Sequence, residues 1–95
     1  MKYEWDKKKN DINVQKHGFD FADAHAIFEG PMFVLPDQRK DYGEDRWVGI
    51  GSLKGQVVVL TYTEREDIIR LISLRKALKH ERKIYEKEIG KIIRD

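Results

Sequence analysis

Lys2 to Trp5 alternates polar and aromatic residues, the period of a short half-buried strand, and Asp6 then stands where an N-cap would open a helix. That helix is expected to run to about Lys16, with Lys16 and His17 in its last turn and Gly18 just past its end. A second helix is expected from Asp20. Phe19 and Ala24 flank that cap at the spacing of a hydrophobic staple, and Phe21, Ala24, Ile27 and Phe28 form an apolar face that Gly30-Pro31 ends. Met32 to Leu35, Arg46 to Leu53 and Gln56 to Thr63 read as strands. The last two are joined by the hairpin turn Lys54-Gly55, and Asp37 to Asp45 reads as a polar loop. After the charged turn Glu64 to Asp67, Ile68 to Ser73 is a further strand, and from about Arg75 to Ile93 the period becomes helical, with Leu78, Tyr85, Ile89 and Ile92 on one stripe. The expected fold class is therefore α+β, in βααβββ order with an antiparallel sheet and a C-terminal helix. Both early helices should cover one sheet face and leave the other partly open.

The length of 95 residues suits one domain over 1–95. Hydrophobic residues make up 40% and charged residues 38%, enough apolar side chains for a modest core inside a highly charged surface. There is no cysteine, so disulfides and thiolate chemistry are excluded and a reducing cytoplasm is the expected compartment. Neither a signal peptide nor the roughly 20 apolar residues of a membrane span is legible. The net charge of +2 hides an uneven distribution: residues 68–95 hold nine Lys/Arg against four Asp/Glu, a local +5. A polyanion-binding surface can lie within such a nearly neutral chain.

Trp5-Asp6, Lys9-Asn10, Asn13, Lys16-His17-Gly18, Phe21, Ala24 and Phe28 form a distinctive opening. Glu44, Arg46, Ile50-Gly51, Val59 to Thr63, Arg65, Ile69 to Ser73, Arg75 to Ala77, Glu81-Arg82 and Tyr85 continue it. Together they resemble toxins of the BrnT family. The resemblance implies a RelE-like ribonuclease toxin of a type II toxin–antitoxin system. It would act on RNA, be held by a BrnA-like, DNA-binding antitoxin, and form a homodimer or a toxin–antitoxin heterotetramer.

RNA cleavage by the ribose 2′-hydroxyl needs no cofactor or metal. It needs the strand positioned, two protons moved, and charge on phosphorus stabilised. Arginine suits the last task because its planar fork donates paired hydrogen bonds to phosphate and stays charged. Arg46, Arg70 and Arg75 are the candidate catalytic arginines, Arg70 being the most informative because it interrupts an apolar strand and must face outward or pair, with Glu44 or Asp67 in reach. Arg75 and Lys76 would stand where strand passes to helix, with backbone amides adding to an anion site. His17 and Glu44 are candidates for proton transfer; His17 also fits a helix end and Glu44 equally fits the orienting of an arginine, so the acid and base stay open. Lys16, Arg65, Lys76, Trp47 and Tyr85 are candidate RNA contacts, by charge or by stacking, although Tyr85 also lies on the apolar stripe. Zinc catalysis lacks an HExxH motif, nucleophilic catalysis lacks GxSxG or cysteine, and no helix-turn-helix pair supports direct DNA binding. A non-catalytic nucleic-acid or protein binding module of the same fold is the alternative.

Overall fold

A computed structural model describes residues 1–93, with side chains to residue 90. It is α+β. Strand β1 (Lys2–Glu4) leads into helix α1 (Lys7–His17), then a 3-10 turn (Phe21–Asp23) and the one-turn helix α2 (His25–Phe28). Strands β2 (Phe33–Pro36), β3 (Trp47–Leu53), β4 (Gln56–Arg65) and β5 (Ile68–Lys76) follow, and helix α3 (Lys79–Ile93) closes the order.

The caps of α1 form as their residue types dictate. Asp6 accepts the Lys9 N–H at 3.1 Å, and Gly18, at φ 77°, returns its N–H to the Val14 carbonyl. Asp20 also caps as expected, but it opens a 3-10 turn and a four-residue helix in place of one continuous second helix. Lys54 and Gly55 both have positive φ, the two-residue turn whose twist matches paired strands.

The strands form one sheet in the order β1-β5-β4-β3-β2. Its last four strands form the expected antiparallel meander, but they are one more than the expected βααβββ order allows, since Phe33–Pro36 pairs with β3 as a strand of its own. The expectation of a wholly antiparallel sheet is corrected by β1, which pairs parallel to β5 (Tyr3 opposite Ile69), so the sheet is mixed. The chain leaves β1 through α1 and returns only at β5, a connection long enough for parallel pairing. The boundary before α3 is also corrected: Arg75 and Lys76 are the last residues of β5, opposite Val59 and Val58. They therefore do not stand at the start of a helix, and the amide at the start of α3 that comes near Arg75, the Leu78 N–H, is taken by the Glu81 carboxylate.

One sheet face carries Leu53, Val58, Leu60, Tyr62, Ile69, Leu71 and Leu74 against Phe21, Ala24 and Ile27, with Trp5, Phe19 and Phe28 at the margin. Helix α2 reaches β3 closely because Gly51 faces it: a Cβ there would lie 2.6 Å from Ile27 Cγ2. Helix α1 lies along the part of β5 that β1 leaves unpaired. There buried Asn13 stands in for a neighbouring strand, donating to the Leu74 carbonyl (2.8 Å) and accepting the Leu74 N–H (3.1 Å). Its amide also donates to the Phe19 carbonyl at 2.9 Å.

On the opposite face a smaller core of Ile50, Val59 and Ala77 packs with Phe33, Val48, Val57 and Tyr85. Helix α3 thus covers part of the face expected to be open. Along its stripe Ile89 is buried and Tyr85 half-buried, Leu78 is exposed, and the Ile92 side chain lies outside the described residues. Among the described residues no helix is long and apolar enough to cross a membrane.

Candidate active site

Strand alternation and register decide which side chains share the half of this face that α3 leaves uncovered. Thr63 pairs with Arg70, and Arg70 with Glu4 on β1. Trp47 pairs with Tyr62, so continuing that register by one residue sets Arg46 opposite Thr63. One row across the sheet is therefore Arg46, Thr63, Arg70, Glu4. The next is Val48, Thr61, Ser73, and the one after it Ile50, Val59, Arg75, where α3 begins. A bulge between Thr61 and Tyr62 takes up Ile72 as the extra residue and keeps Arg70, Ser73 and Arg75 on one face. Sequence order conceals this row, because Glu4, Thr63 and Arg70 lie on three strands and Arg46 stands just before a fourth.

Each arginine of this face is held by a carboxylate. Arg75 makes a two-pronged contact with Glu81 at 2.7 and 2.8 Å. Glu81 also accepts the Leu78 N–H at 2.8 Å, so one side chain caps α3 and fixes Arg75. The Arg75 guanidinium holds the Glu81 carboxyl below the usual carboxylate range. Arg46 Nε lies 3.5 Å from Glu44, and Arg65 reaches the other Glu44 oxygen at 3.3 Å. Arg70 pairs with Glu4 at 3.4 Å, not with Glu44 or Asp67.

The 37–45 loop closes one side of the patch. The Asp37 N–H donates to the Arg46 carbonyl at 2.8 Å, which carries the β2–β3 ladder one step further. The Asp37 carboxylate, 1% exposed, accepts Nε and Nη2 of Arg39, both at 2.8 Å. These bonds hold the Asp37 carboxyl below its ordinary value. Tyr42 lies with its ring 3.8 Å from the Arg46 guanidinium. Between loop and strands is a cleft of about 530 Å³, bordered by Tyr42, Glu44, Arg46 and Trp47.

Two buried polar atoms in the Arg46 row, Arg46 Nε and Thr63 Oγ1, have no hydrogen-bond partner. Buried donors left unmade cost about 1–3 kcal/mol each, and in natural proteins such atoms concentrate where a ligand or strain accounts for them.

Of the residues expected from sequence, the structure brings Arg46, Arg70, Arg75, Glu44 and Arg65 to one face. Lys16 and His17 lie elsewhere, in a groove on the α1–β5 edge with Lys9, Ile12, Asn13 and Ile72. Lys76 falls on the opposite face, one residue out of phase with Arg75. Trp47 packs against the main core and only borders the cleft. Tyr85 packs against the smaller core, and its hydroxyl donates to the Pro31 carbonyl at 3.1 Å, so it serves to seat α3. Sequence reasoning missed Thr63, Arg39 and Asp37. Alternation from Arg70 would have found Thr63 once the register was known; for Arg39 the signal is the Asp-x-Arg spacing, since the Asp37 carboxylate also accepts the Arg39 N–H at 3.3 Å. Among the described residues no three His, Asp or Glu side chains gather as metal ligands.

No curated protein matches the chain. A family model described as the ribonuclease toxin BrnT of type II toxin–antitoxin systems matches residues 5–81, a span from Trp5 that ends on Glu81, the partner of Arg75. The chain belongs to the BrnT family of ribonuclease toxins, whose activity a protein antitoxin restrains.

Proposed function

We propose that the uncovered half of the arginine-bearing face is where this toxin cleaves RNA, without a metal, by attack of a ribose 2′-hydroxyl on the adjacent phosphorus. The bond to the 5′-oxygen breaks, leaving a 2′,3′-cyclic phosphate and a 5′-hydroxyl. Arg46, Arg70 and Arg75 bind the phosphate oxygens and stabilise the charge that builds on phosphorus. Glu44, its side chain 30% exposed between Arg46 and Arg65, takes the 2′-hydroxyl proton, the departing 5′-oxygen takes a proton from water, and Arg65 contacts a flanking phosphate. The observation that carries the reading is the Arg46–Thr63–Arg70 row, in which buried Arg46 Nε and Thr63 Oγ1 make no hydrogen bond, Glu44 standing 3.5 Å from the former as an ion pair only. Lys16 and His17 contact the strand further along, in the α1–β5 groove. We read the fold as RelE-like and the antitoxin as BrnA-like and DNA-binding, the pair assembling as a heterotetramer in the cytoplasm.

The test is cleavage of a short RNA in EDTA by the purified chain. Cyclic-phosphate product is expected, with 2′-deoxy substitution at the cut position abolishing it and Arg46→Ala or Arg75→Ala each lowering the rate about 100-fold or more. Dependence on added magnesium, or cutting of the deoxy-substituted strand, would overturn the mechanism. Tight RNA binding without product would establish a non-catalytic module.

A further inference from the structure

We propose that Arg39 is a further phosphate-binding residue of this site, with buried Asp37 as its positioning residue. The inference rests on the reading of the arginine face as the RNA site and extends it to the loop that borders it.

A loop arginine on a protein surface ordinarily samples many rotamers and contributes little. Arg39 does not have that freedom. Asp37 is almost wholly buried, its backbone is tied to Arg46, and it takes the Nε and Nη2 side of the guanidinium in two bonds of 2.8 Å. A guanidinium has five N–H donors, and a side-on contact through Nε and Nη2 leaves Nη1 and the second Nη2 hydrogen at its end. That end can make a second two-point contact, the shape that matches a pair of phosphate oxygens. The side chain is 68% exposed, so the free end is accessible to a strand lying on the face.

The neighbourhood supplies the second line of argument. Arg39 is close enough to Arg75 for their charges to repel, while Arg46 acts on the same Asp37 carboxylate. The 37–45 loop, tied to the Arg46 backbone through Asp37, therefore adds a further guanidinium to this side of the face. Like charges held near one another by carboxylates behind them are relieved when an anion enters between them. Tyr42 lies beside Arg39 as well as against Arg46, which makes the loop a continuation of the arginine face.

The test compares Arg39→Ala, Arg39→Lys and Asp37→Asn in binding and cutting a short RNA. A 2′-deoxy substitution at the cut position makes the binding substrate inert. Arg39→Ala should weaken binding about tenfold when measured well below its melting temperature, which itself falls because the buried Asp37 carboxylate loses its partner. Arg39→Lys should recover less than half of that loss on a logarithmic scale, because an ammonium cannot contact Asp37 and phosphate as a fork does. Asp37→Asn should fall between wild type and Arg39→Ala in binding, although Arg39 is still present. Arg39→Ala behaving as wild type while Arg46→Ala and Arg75→Ala lose cleavage would overturn the inference and leave the site standing. Full rescue by lysine would overturn the fork contact. Loss of no activity in any of the arginine variants would overturn the site itself.

Discussion

Replacing Asn13 should separate what this sequence needs to fold from what it needs to cut RNA. Asn13 belongs to the opening motif of the chain and borders the groove that also holds His17, so it could be mistaken for a catalytic residue. Its amide makes three hydrogen bonds to backbone, two of them to buried Leu74. Asn13→Ala leaves the Leu74 N–H and carbonyl without partners where α1 shields them from water, and frees the Phe19 carbonyl nearer the surface. At about 1–3 kcal/mol for each of the two buried groups stranded, with the part-buried Phe19 carbonyl adding less, the loss is about 2–6 kcal/mol. For a chain of this size that lowers the melting temperature by roughly 10–45 °C. Asn13→Asp is the sharper version. It keeps the shape and the acceptor for the Leu74 N–H, but aims a carboxylate at two carbonyls, so it should destabilise at least as much as alanine. Thermal unfolding followed by circular dichroism measures both, and cleavage well below the midpoint measures the second half: the folded variant should keep its rate within a few-fold. An Asn13→Asp protein as stable as wild type would refute the strand-mimic reasoning; a folded Asn13→Ala protein that cannot cut would place Asn13 in the chemistry.

Other outcomes follow from the same geometry. Thr63→Val removes a buried hydroxyl that has no partner, so it should raise stability by about 1 kcal/mol, read as a higher midpoint in urea at unchanged slope. Gly51→Ala drives a methyl group against Ile27 and should cost about 1–3 kcal/mol by the same measurement. Glu81 and Asp37 have carboxyls held below their ordinary range, so their contribution to stability is complete above that range and is lost as pH falls through the lowered folded values. Unfolding midpoints should be flat above about pH 5 and decline below it, and Glu81→Gln should start lower and decline less steeply.

Helix α1 was legible because its signals are local: Asp6, Gly18 and the charge pattern between them need no partner elsewhere. The Lys54-Gly55 hairpin was legible for the same reason. Strand β1 was not assignable to a neighbour, because three residues carry no information about which edge they join. The end of β5 was misplaced because Leu74-Arg75-Lys76-Ala77 fits a helical period as well as a strand, and the pairing of Arg75 with Val59 decides between them. The arginines could be named from residue type and position. Their carboxylates could not, since Glu4 meets Arg70 across 66 residues of sequence.

That pairing bears on how the toxin would hold RNA. Across the face and its bordering loop, Arg39, Arg46, Arg65, Arg70 and Arg75 stand against Glu4, Asp37, Glu44 and Glu81. With Lys40, Asp41 and Asp45 of the same loop the count is six cations against six anions, so the local charge cancels and long-range attraction for a polyanion is modest there. What the carboxylates supply instead is direction. A guanidinium tied at one side by a carboxylate keeps its remaining donors in a fixed orientation, and a phosphate that binds them does not have to order a free side chain first. Selectivity for the reacting phosphate over any other then comes from the spacing of the Arg46 row and Arg75 on a rigid sheet, which strand register sets. The downstream excess of positive charge, which drew attention to this end of the sequence, mostly lies away from that row: Lys76 is on the other face, and Arg82, Lys83 and Lys87 are exposed on α3. On the proposed reading those groups draw the strand in, while the paired arginines determine where it is cut. Neutralising Arg82 and Lys83 together should therefore slow association and flatten its salt dependence, measured by stopped-flow binding, yet leave single-turnover cleavage of bound RNA within about twofold of wild type. A comparable loss in the cleavage step itself would mean that the helix, and not the sheet, sets the cut.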